Sequence, residues 1–126
     1  MQPAKALVVD DSALMHRIYD VLLRGLPVLH ADDGAEALER LAEDPEIDLV
    51  LLDINMPKLD GFGVLERLRA RGDLDRLAVI VVTTEGAEAD AARGLAAGAA
   101  AYLTKPFRGE EIRAAIAGIE FSPRTA

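Results

Sequence analysis

Asp10 and Asp11, Asp53, Thr83 and Lys105 each stand at or near the end of a short apolar run, and together they make a chemical set. Carboxylates held about 4 Å apart repel one another by roughly 1–4 kcal/mol per pair at surface-like dielectric. Folding three of them together makes sense if a divalent cation relieves that repulsion. Oxygen ligands with open water positions, and no histidine or cysteine cluster, suit magnesium rather than zinc. Magnesium in turn shares its ligands readily with a phosphoryl group. Lys105 offers a point positive charge and Thr83 a hydroxyl donor, which is what the remaining phosphoryl oxygens need. Asp53, the central carboxylate, is the natural nucleophile. The set predicts phosphoryl transfer onto an aspartate.

The elements that must position these residues can be read from the chain. Leu49-Val50-Leu51-Leu52 runs straight into Asp53 and stops near Pro57, the pattern of a strand buried on both faces. Ala6 to Val9 is a first strand ending at Asp10-Asp11, Val28 to Ala31 a second, and Ile47 to Asp53 the third. Ala78 to Val82 is a fourth, ending at Thr83-Thr84, and Ala100 to Leu103 a fifth, ended by Lys105-Pro106. Between them lie segments of helical period. Ser12 or Asp11 caps a helix with apolar Leu14, Ile18, Val21 and Leu22, stopped by Gly25 and Pro27. Asp33 with Glu36 makes a capping-box signature for a helix burying Ala37, Leu38 and Leu41. Asp60-Gly61 opens a third helix with Phe62, Leu65 and Leu68 inward and Arg67, Arg69 and Arg71 outward. An alanine-rich helix spans about 87–97, and a last one about 110–119 carries Ile112, Ile116 and Ile119 on one face. Strongly apolar strands alternating with helices mean a parallel sheet covered on both sides, a three-layer α/β fold. Parallel strands share one carboxyl edge, so the five chemical positions converge there.

Composition narrows the classes. At 126 residues the chain fits one ordinary domain, with residues 1–121 as its body and 122–126 as a frayed tail. Without cysteine there is neither a disulfide framework nor a thiolate metal site. A net charge of −8 is the wrong sign for a nucleic-acid face. No apolar stretch approaches the ~20 residues that cross a bilayer, and the amino terminus lacks a signal-peptide pattern, so a cytoplasmic location is the expectation. His16 and His30 carry no partner pattern in the sequence and read as solvent-facing or satisfied side chains.

Four spaced motifs extend the chemistry: Leu7-Val8-Val9-Asp10-Asp11-Ser12, Leu51 to Gly61 with Asp53-Ile54-Asn55-Met56-Pro57-Lys58, Val82-Thr83, and Tyr102-Leu103-Thr104-Lys105-Pro106-Phe107. In this order they resemble the receiver domain of two-component response regulators, the stand-alone chemotaxis type in particular, over nearly the whole chain. The resemblance implies a flavodoxin-like five-stranded sheet of order 2-1-3-4-5. It implies that Asp53 receives a phosphoryl group from a phosphohistidine on a sensor histidine kinase or phosphotransfer domain, with Mg2+ as cofactor. Asp10 and Asp11 would hold the magnesium together with Asp53, and Asn55 would add its backbone carbonyl. Lys105, before a cis proline bond, would contact the phosphate. Thr83 would be a switch hydroxyl and Tyr102 an aromatic that turns inward behind it, altering a partner face made by the fourth helix, fifth strand and fifth helix. Asn55 and Glu85 would flank the path of the hydrolytic water and set a short phosphoryl lifetime, and Thr84 departs from the small residue frequent at its place. The short path from Arg24 to Val28 is a second departure.

On this reading the chain is a signalling module rather than an enzyme, although it promotes its own phosphorylation and dephosphorylation. The expectation is a module without an effector domain after the last helix. A phosphate shuttle or sink without its own target is the alternative. An aspartate-dependent phosphohydrolase of the haloacid-dehalogenase kind fits poorly, because its nucleophile belongs on the first strand in an Asp-x-Asp pair.

Overall fold

The computed structural model describes residues 2–56, 59–84 and 88–121. The elements are β1 (Ala6–Val9), α1 (Ala13–Leu22), β2 (Val28–Ala31), α2 (Gly34–Glu43), β3 (Leu49–Asp53), α3 (Gly61–Ala70), β4 (Ala78–Thr84), α4 (Glu88–Ala96), β5 (Ala101–Lys105) and α5 (Gly109–Ala117). All neighbouring strands are parallel, in the order β2-β1-β3-β4-β5. This is the flavodoxin-like order, with helices on both faces of the sheet.

Residues alternate strictly between the two faces, as strand geometry demands. Leu7, Val9, Val50, Leu52, Val79 and Val81 point into a core closed by α2 and α3, through Leu38, Leu41, Phe62, Leu65 and Leu68. Ala6, Val8, Leu49, Leu51, Ile80, Val82 and Leu103 point the other way, into a core closed by α1 and α5 through Tyr19 and Ile112. All residues of β1 and β3 are buried, which is why those strands read as unbroken apolar runs.

Local signals fix the helix starts. Ser12 accepts from the Met15 N–H, Asp33 from Glu36 N–H and Asp60 from Gly63 N–H, each satisfying a first-turn donor. Gly25, at φ +94°, makes the sharp turn that lets α1 return to β2 within a few residues.

The structure corrects the face of α1. Leu22 packs against the core as expected, but Leu14 and Val21 are 64% and 61% exposed, and the helix buries Tyr19 and packs Met15 in their stead. Tyr19 sits at the centre of that stripe and contributes more apolar surface than either residue, so the helix settles around it. Several boundaries also differ by one to two residues. β3 starts at Leu49 rather than Ile47, and β5 runs on through Lys105 because Thr104 and Lys105 pair with Thr83 and Thr84. A single 3₁₀ turn, Asp73–Asp75, lies between α3 and β4 and had no sequence signal.

Candidate functional site

Register brings the acids together. Val9 pairs with Leu52, so Asp10 follows β1 level with Asp53 at the end of β3. These two strands lie side by side where the strand order reverses, the position at which open parallel sheets bind ligands. Carboxylate oxygens of Asp10, Asp11 and Asp53 all lie within 4.8 Å of one another, with Asp10 and Asp53 buried and Asp11 exposed at the mouth. Lys105 arrives from β5, two strands away. Its Nζ donates to Asp10 Oδ2 at 3.1 Å and lies 3.6 Å from Asp53 Oδ2. The Lys105–Pro106 bond is cis.

Each buried acid is also held by backbone. Asp10 Oδ1 accepts from the Ser12 N–H at 2.9 Å, and Asp53 Oδ1 accepts from the Asn55 N–H at 3.2 Å. The start of α3 is pressed against the site, since a Cβ on Gly61 would lie 2.7 Å from the Asp53 carbonyl oxygen. Only glycine allows the helix to begin there.

Three carboxylates facing one ammonium leave two negative charges uncompensated. Burial pushes the Asp53 carboxyl from 3.8 up to about 6. The Asp10 charge pushes the same way, Lys105 and the Asn55 N–H pull back, and Asp11 adds a smaller upward push. Burial, with Asp10 and Asp53 nearby, also lifts the Tyr19 phenol above its ordinary range. The donor set is all oxygen, it is short of positive charge, and one member is exposed. A hard divalent cation fits all three features.

Not every expected residue points into this cluster. Thr83 is buried at the end of β4, but its hydroxyl donates to the Leu103 carbonyl at 3.4 Å. Tyr102 is 48% exposed and faces outward. The Asn55 side chain is exposed at the mouth. Glu85, Pro57 and Lys58 lie outside the described residues. His16 and His30, read in the sequence as solvent-facing or satisfied side chains, are satisfied, but the sequence did not show that their rings meet beside Asp10. Each looked isolated because their contact depends on how α1 packs against β2, which no spacing in the chain encodes.

Comparison with known proteins decides the family, since the family model described as the response regulator receiver domain matches residues 6–117. The chain belongs to the response regulator receiver family. The chain is 38% identical over 106 residues to a chemotaxis protein CheY homolog of Campylobacter jejuni, covering 82% of each chain. Similarity reaches 40% over 121 residues with a probable transcriptional regulator, ycf27, of Porphyridium aerugineum; the chain spans about half, 49%, of that relative's length. Among solved structures, chemotaxis protein CheY4 of Vibrio cholerae superposes with a TM-score of 0.84 at 30% identity, covering 93% of this chain and 98% of that one. Among the described residues, no helix is long and apolar enough to cross a membrane.

Proposed function

We propose that this receiver domain is phosphorylated on Asp53 by a phosphohistidine of a sensor kinase or phosphotransfer domain, and that the modification alters a partner-binding face. One observation carries the reading: Asp10 and Asp53, buried and adjacent, are bridged by a single lysine with Asp11 beside them, leaving a site two charges short. In the transfer, an Asp53 carboxylate oxygen bonds to phosphorus while the P–N bond of the donor breaks and its electron pair returns to the imidazole. Lys105 lies where it can hold a phosphoryl oxygen. Asp10, Asp11, Asp53 and the Asn55 carbonyl are the groups that would hold Mg2+. When bound, the ion supplies charge neutralisation between the carboxylates and the phosphoryl oxygens.

The switch starts at Thr83. Its 3.4 Å bond to Leu103 lies beyond the usual O–H···O range, so little is lost when the hydroxyl turns toward a phosphoryl oxygen. Tyr102, next to Leu103 and exposed, is the ring placed to follow it. Its neighbours on α4, β5 and α5 form the proposed partner face. Asn55 and Glu85 are proposed to set the rate of phosphoryl loss.

The test uses acetyl phosphate with magnesium. The full chain is expected to take up one phosphoryl group, and Asp53→Asn none. Continuous turnover of varied phosphate esters would overturn the reading in favour of a hydrolase, as would undiminished uptake by Asp53→Asn.

A further inference from the structure

Beside the acid cluster, and using none of its carboxylate oxygens, two imidazoles face each other. His16 on α1 and His30 on β2 approach Nδ1 to Nδ1 at 2.6 Å, with the rings nearly perpendicular. Their other nitrogens are committed to oxygens. His16 Nε2 lies 2.8 Å from the Asp10 main-chain carbonyl and 3.2 Å from Asp32 Oδ1, and His30 Nε2 lies 2.8 Å from Asp20 Oδ1. Carbonyl and carboxylate oxygens only accept, so both Nε2 atoms carry the hydrogen. Two neutral rings so fixed would aim their Nδ1 lone pairs at each other across 2.6 Å. One hydrogen shared between the two Nδ1 atoms relieves that contact, and so does a metal ion.

We propose that His16 and His30 form a two-imidazole site for a borderline transition-metal ion of the copper, zinc or nickel type. Two features favour a metal over a proton alone. Metal-binding histidines characteristically donate their second N–H to a carboxylate or main-chain carbonyl, which is the arrangement of both rings. Asp20 and Asp32 set two negative charges around the pair, which balances a divalent ion, whereas a shared proton brings one positive charge. Imidazole nitrogen also selects these ions over magnesium, so the site is chemically distinct from the all-oxygen cluster.

Tetrahedral ligation at Zn–N distances near 2.0–2.1 Å needs the nitrogens about 3.3 Å apart. The rings must therefore part by roughly 0.7 Å. They stand on different elements and both are partly exposed, with side chains 13% and 31% accessible, so the opening has room and water can complete the coordination. The site is independent of phosphorylation at Asp53, although the Asp10 carbonyl belongs to one and its carboxylate to the other.

The experiment is electron paramagnetic resonance of the untagged full chain with one equivalent of Cu2+ in excess Mg2+. The expected spectrum shows superhyperfine splitting from imidazole nitrogen, unchanged in Asp53→Asn and lost in both His16→Gln and His30→Gln. Binding in either histidine variant is expected to weaken at least tenfold, with circular dichroism confirming the fold; should His16→Gln fail to fold, His30→Gln alone decides. Oxygen-only coordination, loss of the signal in Asp53→Asn, or a spectrum that survives His30→Gln would overturn the site and leave a shared proton as the sole occupant.

Discussion

Asp53 carries a conflict between folding and chemistry. Its carboxyl is 5% exposed and flanked by a second buried acid, so the folded chain holds a proton there up to about pH 6, against 3.8 for a free carboxyl. Because the folded state binds this proton more tightly than the unfolded one, its contribution to stability is full below pH 3.8 and disappears as pH rises to about 6. The rise from 3.8 to about 6 is worth at most about 3 kcal/mol. In EDTA, Asp53→Asn is therefore expected to raise unfolding free energy by on the order of 1–3 kcal/mol at pH 7–8, with the gain vanishing toward pH 4. Urea denaturation at the two pH values measures it. A variant less stable than the parent at pH 8 would mean that Lys105 already neutralises the pair.

The loops and helix ends hold this site under close tolerance. Gly61 opens α3 with its Cα so near Asp53 that an added methyl would lie 2.7 Å from the carbonyl oxygen and 2.8 Å from the Ile54 Cα, both backbone atoms. Gly61→Ala is expected to cost about 1–3 kcal/mol, the usual range for overpacking against atoms that cannot rotate away. It should also slow uptake from acetyl phosphate by shifting the acid; unchanged stability and rate would show that the helix start gives way freely. At the other side of the site, Thr83 on β4 bonds to Leu103, the chain neighbour of Tyr102 on β5, and the proposed switch couples Thr83 to Tyr102. Adding beryllium fluoride and magnesium is expected to move the ring resonances of Tyr102, and Thr83→Ala to abolish that movement while binding persists. Equal shifts in parent and variant would remove Thr83 from the switch.

Across the whole molecule, the strands and the cluster of acids were legible in the chain because they rest on short-range rules. Doubly buried parallel strands must be apolar throughout, and the residues that end them must share an edge; Asp10, Asp53 and Lys105 follow from that alone. Side-chain direction was not legible. Leu14 and Val21 share the helical period of α1, yet Tyr19 takes the buried place because the space beneath α1 and α5 suits a large ring. Thr83 turns to Leu103 and His16 meets His30 through packing between elements distant in sequence.

A phosphoryl group on an aspartate can be located chemically. Borohydride reduces an aspartyl phosphate to homoserine, and tandem mass spectrometry of the peptides then gives its position after acetyl phosphate and magnesium treatment. Homoserine at residue 53 alone is the predicted result. Homoserine at Asp10 or Asp11, or phosphate retained on His16 or His30 with residue 53 still aspartate, would contradict it.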